Sequence, residues 1–429
     1  MKTLLLCGAV LSIGAGVSSA ATLAFPGAEG FGALASGGRG GEVVYVTNLN
    51  DAGPGSFRDA VSKPNRTVLF QVGGVIRVKK QVEVEDNITI AGQTAPGGVG
   101  LLGGGISLSA HKNIVVRYMT FRGGIETPRG SKSLNIYNGQ TIIVDHCSIG
   151  WGRWDNVGIT AKGDAPTFDV TLQNCLIHEA IKDQQFGMIV DNVRRLSLVR
   201  NLWNNNRARN PKGKGDLQFI NNVIYNWGTQ GYGGGHSGAP WNQDLQGNYL
   251  IAGPDSNTAF FTFTNANDLV YSQGNFVDLD RDGTLNGRAW TTEDVTKPDP
   301  KSNEGAVAST QPFNQPGVPV TVLPAEQAVA EVVARAGNSL HRDAIDQRQI
   351  DQLKSFGKLG KNPQTEADVG GAPATQPANT NAPVDTDRDG IPDAWETAHG
   401  LSPTDPNDGK QLTASGYTNL ETYLNSLVP

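Results

Sequence analysis

Residues 194–227 read RRLSLVRNLWNNNRARNPKGKGDLQFINNVIYNW, and their reading decides the fold. Two strand-like runs, RRLSLV and LQFINNVIYNW, flank a turn that packs Arg207, Arg209, Lys212 and Lys214 into eight residues. No amphipathic helix pattern joins the runs, which argues against a doubly wound sheet. Working outward, similar runs recur as TVLFQV, NITIAG, NIVVRYMTF, TIIVDHCSI, DVTLQNCLI and DLQGNYLIAG. Ile88, Ile114, Ile142, Val170, Leu196, Leu217, Leu245 and Leu269 come about every 21 to 28 residues, a solenoid spacing. A winding chain that adds one parallel rung per repeat explains the uneven period, because turns vary in length while strands stack. The expected fold is all-β, a single-stranded parallel β-helix.

Asn174, Asn201, Asn221, Asn222, Asn226, Asn248 and Asn275 stand late in or just after these runs. Asn tolerates left-handed backbone angles and bonds to its own kind above and below, so stacked Asn ladders are expected.

The net charge of -6 and 18% charged residues set the basic turn apart, and a cation cluster in an acidic chain suits a polyanionic ligand. Residues 1–20 carry Lys2, an apolar run and small residues at Ser18 and Ala20, which reads as a secretory signal. Secretion is therefore expected. No later stretch is apolar long enough to span a membrane. Cys147 and Cys175 remain after the signal, either paired or as buried free thiols. Asn65-Arg-Thr and Asn87-Ile-Thr are acceptor sequons if the source glycosylates. The Gly-rich entry AFPGAEGFGALASGGRGG lacks GK[ST] and a following helix, which excludes a phosphate loop and suggests a close-packed cap.

The domain reading is a β-helix over 21–290, an extended excursion with short flanking helices over 291–369, a linker at 370–384 and a small module at 385–429. In that module DTDRDGIPDAWE puts Asp385, Asp387, Asp389, Asp393 and Glu396 at loop positions 1, 3, 5, 9 and 12, with Gly390 at 6. This is the spacing of an EF-hand-type calcium loop, with alternate oxygens facing inward and Gly making the sharp turn. The turn Asp278-Leu-Asp280-Arg-Asp282-Gly283 opens the same way but has Ala289 where a carboxylate should close it.

AFPGAEGFG with GGRGG, TIAGQTAPG, VDHCSIGWG, RNPKGK and NNVIYNWG together resemble the pectate lyases of polysaccharide lyase family 1, over about residues 24–290. The resemblance implies a right-handed parallel β-helix that cleaves polygalacturonate by β-elimination, usually with Ca2+. It implies Arg209 of Arg209-Asn-Pro211-Lys212-Gly-Lys214 as the base. Lys182, Arg207, Lys212 and Lys214 would bind uronate, and Asp145 of the Val-Asp-His motif would bind calcium. Of two further acidic ligands expected a few residues on, only Asp155 is present. Trp151 and Trp154 with Arg153 fit a calcium-free cleft for methylated pectin instead. The implied partner is an acidic plant cell-wall polysaccharide bound by a monomer, with no nucleic acid or membrane.

The chemistry demands removal of a weakly acidic proton beside a carboxylate, with the growing charge neutralised by cations. Arginine is an unusual base, since its pKa lies above about 12, and an alkaline optimum follows. His146 beside Asp145 suggests a relay, but adjacent strand residues point to opposite faces, so a core histidine is expected. A polygalacturonase would need a close pair of carboxylates, and the basic stretch offers only scattered Asp145, Asp155 and Asp183. A non-catalytic carbohydrate-binding β-helix is the other rival.

Overall fold

One rung of the computed structural model, which describes residues 21–163, 167–313, 317–373 and 377–429, shows how the coil is made. Gln140–Asp145 is a strand, and His146 turns the chain in a left-handed conformation (φ 50°). Ser148–Gly150 follows, Trp151 turns again (φ 57°), and Asp155–Thr160 completes the rung. Each strand lies parallel to its equivalent in the next rung: Asp145 faces Gln173, Ser148 faces Leu176, and Asp155 faces Phe186. Three parallel sheets result, named A (with Gln140–Asp145), B (with Ser148–Gly150) and C (with Asp155–Thr160). Sheet B runs from Gly74–Val78 to Phe276–Asp278 and ends on the antiparallel strand Arg288–Ala289. The fold is the parallel β-helix expected from the repeats.

Inside, like side chains stack in register: Ile88 on Ile114, Ile142, Val170, Leu196 and Leu217. Each such buried aliphatic contributes about 1.5–3 kcal/mol over its exposed state. The last two expected positions slip. Leu217 faces Gln243, not Leu245, and Leu269 faces Asn242 while Val270 enters the core. Rung length changes where Phe186–Val199 spans two sheets with register shifts near Val193, so counting residues loses the register there.

The Asn expectation divides in two. Asn201, Asn222, Asn248 and Asn275 form a buried ladder at the A–B corner, in which Asn222, Asn248 and Asn275 each accept backbone and side-chain N–H bonds from the Asn before. Asn221 and Asn226 are instead left-handed corner residues, and Asn174 bonds Asp145. Cys147 and Cys175 are buried free thiols.

Outer faces decide where a ligand can approach. The Gly-rich entry lies across sheet A and does not cap the coil end; a Cβ on Gly32 would meet the Ile142 carbonyl oxygen at 2.2 Å. Ala24, Phe25 and Ala33 pack there on Val115 and Ile143. The helices Ala325–Arg335 and Ala344–Lys354 lie flat on sheet B, over Leu176, Leu202, Tyr225 and Ile251. At the end of the coil Val295 of Thr292–Thr296 and Trp290 pack against the core. The 385–429 module docks on sheet A, with Ile391, Leu420 and Leu424 against Leu69 and Ala91. Among the described residues no apolar cluster covers sheet C. No described helix is long and apolar enough to cross a membrane. The expected signal, residues 1–20, lies outside the described residues.

Candidate active site

The open face of sheet C and the adjoining B–C corner gather the cations. Lys212–Ile220 begins in sheet C with Lys212 and Lys214 half-buried and outward, while Gly213 lies inward beneath the Tyr232 hydroxyl. Just before it, Arg209 sits in a left-handed conformation (φ 59°) with its guanidinium 3.8 Å over the Phe186 ring. One N–H of Arg209 donates to Asp155 at 3.0 Å, and Asp155 is buried at the start of its strand. Burial pushes the Asp155 carboxyl up from its ordinary range, against the pull of Arg209, Lys132 and Lys212. Burial and the neighbouring Arg209 and Lys214 charges both push the Lys212 ammonium down. Arg207 also lies over the Phe186 ring, at 5.3 Å, and donates to the Gln184 carbonyl; burial, then Arg209, lowers its pKa. Lys182 stands exposed on the preceding corner, its backbone N–H donating to Gln364.

Two residues here escaped the sequence reading. Phe186 carries both guanidiniums over its ring. Lys132 lies against Gly158, where a Cβ would strike its side chain at 2.5 Å, and is one rung before Asp155. No motif marks Lys132; only rung register brings it to the site. Beyond it a cavity of about 400 Å³ continues along the same edge, lined by Lys79, Lys80 and Asn135. Among the described residues none of these three lysines is in an ion pair within 4.0 Å, although the Lys79 N–H bonds Asp51.

Other expected residues are elsewhere. Asp145 lies at the A–B corner, at the opposite end of Ser148–Gly150 from Asp155, and so does not join it in one ion site. Its carboxylate is fully buried and taken up by Arg117 at 2.9 Å, His146 at 2.7 Å, Gln173 at 3.0 Å and Asn174 at 3.3 Å. Burial alone would raise its pKa; the His146 and Arg117 charges more than offset that and hold it well below the usual carboxylate range. His146 and Asp145 do pair, against the strand-alternation argument, because His146 is a corner residue, stacked on Tyr118 at 4.7 Å. Ser148 donates to Asp346. Trp151 is no cleft wall: it is fully buried and donates to Glu179. Arg153 donates one guanidinium N–H group to the Ile125 and Thr127 carbonyls and so fastens that loop. Trp154 does line this corner, under Arg129, which pairs with Asp183 at 2.9 Å.

Two acidic loops remain. In the first, Asp280 and Asp282 accept backbone N–H groups of their own turn and Asp278 accepts from Asn286, and among the described residues the three do not form a set that meets within 4.8 Å. In the tail, Asp385, Asp387 and Asp389 converge, and Asp389 converges again with Glu396 and Asp408, each set within 4.8 Å. Asp393 turns away to accept from the Thr386 N–H and hydroxyl, both at 2.7 Å. Asp408 takes the place expected of it, from a segment twelve residues past Glu396.

Comparison with known proteins follows the same lines. No protein-family profile matches the chain. A protein of Aspergillus flavus named "Probable pectate lyase C" is 43% identical over 416 residues, 96% of this chain and 95% of that protein. Its namesake in Aspergillus fumigatus is 44% identical over 412 residues, 95% and 94% of the two chains. Among solved structures, the cedar-pollen major allergen Jun a 1 aligns at TM-score 0.55 with 16% identity, over 72% of this chain and 92% of its own. A pectate lyase bound to a hexasaccharide aligns at 0.55 with 13% identity, over 74% and 98%. At such identities these two show the fold, whereas the Aspergillus relatives, matched almost end to end, show the family. The chain belongs to the pectate lyase family.

Proposed function

We propose that the chain is a secreted pectate lyase that cleaves polygalacturonate along sheet C, with Arg209 as the base. The observation that carries this reading is the gathering of Arg209, Lys132 and Lys212 around one buried carboxylate, Asp155, on the sheet that no apolar cluster covers among the described residues. A polyuronate presents one carboxylate per sugar. Cations stand at intervals along this face, Lys80 first, Lys132 two rungs on and Lys212 three rungs further, each rung rising about 4.8 Å, so they meet such a ladder of charge at several separate steps. Lys212 and Lys214 neutralise the carboxylate beside the bond that breaks, and Lys132 meets a carboxylate bound further along the face. Arg209, oriented by Asp155 and held on Phe186, takes the C5 proton; the C4–O bond breaks as the C4=C5 double bond forms, and the departing oxygen takes a proton back from the site or solvent to leave as a hydroxyl. No water is consumed.

A resident calcium ion does not fit this cleft as it stands. Among the described residues Asp155 is its one buried carboxylate, and Arg209 already occupies it. Calcium takes 6–8 oxygens, so uronate carboxylates would have to supply most of them. The tail loop, by contrast, has the donor set for calcium, and we assign the ion there.

The test is near-ultraviolet absorbance on polygalacturonate and on methylated pectin, with and without chelator. Pectate is the expected substrate, with a rate rising about tenfold per pH unit between pH 7 and 9 as the base deprotonates. Reducing ends without absorbance would overturn elimination, and a rate flat across that range would remove Arg209 as base.

A further inference from the structure

The tail's carboxylates are not an exposed acidic turn. Glu396 is fully buried with both carboxylate oxygens lacking any hydrogen-bond partner. Asp387 Oδ2, Asp389 Oδ2 and Asp408 Oδ1 are likewise buried and unpartnered, with Asp389 and Asp408 about as buried as the core. A buried, unpaired carboxylate is strongly disfavoured, and several facing one another are more so. Asp389 belongs to both converging sets, so the two sets adjoin through its carboxylate. All donors are hard oxygens, with no histidine or cysteine, which selects a hard divalent cation; the number and the flexible loop favour calcium over magnesium.

The donors come from two separate pieces of chain. Asp387, Asp389 and Glu396 belong to the 385–396 loop. Asp408 belongs to a later turn, where a Cβ on Gly409 would strike Asp389 Oδ2 at 2.2 Å, so the two pieces touch with no room to spare. On the other side Asp385 accepts the Tyr45 hydroxyl, and the Arg388 guanidinium lies 5.3 Å over the Tyr45 ring. Tyr45 is in Glu42–Val46, the first strand of sheet A. From the turn that holds Asp408 the chain continues into Asn419–Ser426, whose Glu421 pairs with Arg39 at 2.7 Å and whose Leu420 and Leu424 sit on Leu69.

Resting on the assignment of calcium to this loop, we propose that the ion is bridged between the 385–396 loop and Asp408 and so fastens the 385–429 module onto the first rungs of the coil. Without it the two pieces repel, and the apolar contacts of Ile391 and Leu420 with the coil no longer share one rigid support. The fastener is remote from Arg209, on a different sheet.

The experiment uses the full chain, stripped with chelator and titrated with calcium alone by calorimetry. Limited proteolysis runs in parallel and follows cleavage between 370 and 384. Wild type binds one calcium tightly at this site and resists cleavage only when loaded. Asp408→Asn weakens binding about tenfold or more and makes the loaded chain cleavable, while Asp393→Asn leaves both unchanged. Failure of wild type to bind calcium would overturn the loop assignment itself. Binding by Asp408→Asn as tight as wild type would overturn the bridge alone. Equal cleavage with and without calcium would overturn the fastening. Glu396→Gln serves as a second variant should Asp408→Asn misfold, with the same expected loss.

Discussion

Asp145 and Asp155 stand ten residues apart at the two ends of one three-residue strand, each buried, each with an arginine at about the same distance: 2.9 Å to Arg117, 3.0 Å to Arg209. In the sequence they look like two parts of one site. In the fold they do opposite work. Asp145 has four donors around it, so its charge is spent inside the coil. Among the described residues Asp155 has one donor, and the cations beyond it outnumber their carboxylates: Lys132 and Lys212 are in no ion pair within 4.0 Å and Lys214 reaches only Asp191, at 4.0 Å, so an excess faces the open sheet. A buried ion pair surrounded by further donors holds structure; the same pair set beside surplus charge is ready for a ligand.

The largest expected effect tests the functional corner. Arg209→Lys should lower kcat by about 10³-fold while the thermal midpoint stays put, measured by absorbance and by calorimetry. A variant that keeps wild-type kcat would break the comparison, since Arg209 would then be a structural partner like Arg117.

Next comes the sealed corner. Arg117→Ala leaves Asp145 buried without its main cation, and breaking such a pair costs about 3–5 kcal/mol. Denaturant unfolding should show that loss, with kcat/KM per folded molecule within about twofold of wild type. Because Asp145 is held below its usual pKa, the stability it contributes is present above about pH 4 and falls away as the solution is acidified. Loss of activity without loss of stability would place Asp145 in the chemistry after all.

A smaller effect sharpens the open corner. Lys132→Gln should raise KM for polygalacturonate about tenfold with little change in kcat, because it meets a carboxylate already bound before the transition state. The change should shrink at high salt.

These contrasts explain what the sequence could tell. The repeat of inward aliphatics is a local signal, and it carried the coil and the place of the basic turn at Arg209. Corner geometry is not local in that sense. Whether Trp151 faces the cleft or the interior depends on one left-handed residue, and the same uncertainty hid the separation of Asp145 from Asp155. Arg153 and Lys132 are both cations in turns; only the stacking of rungs shows that one grips carbonyls while the other lies against Gly158. In the tail, loop spacing placed Asp387, Asp389 and Glu396 but misassigned Asp393, because Pro392 lets the helix Asp393–His399 begin there and turns that side chain toward Thr386. Asp408 could not be seen at all, since nothing in the spacing announces a donor from another segment.

A third carboxylate extends the comparison to a site without any cation. Asp244 is buried on sheet A, and among the described residues its one donor is the Phe313 N–H at 3.1 Å. Burial, only partly opposed by that bond, pushes its pKa up to about 6. The sign is the reverse of Asp145. The folded state holds the proton more tightly than the unfolded chain, so Asp244 favours folding below about pH 4 and loses that contribution as pH rises through about 6. Asp244→Asn keeps an acceptor for Phe313 and carries no charge at any pH. It should therefore match wild type near pH 4 and exceed it by roughly 1–2 kcal/mol at pH 8, read from unfolding curves at the two values. If the gain were the same at both, charge would not be the cause. Equal stability at pH 8 would mean that the buried carboxylate finds water or another partner there, and the donor count that separates Asp145 from Asp155 would lose its value as a guide.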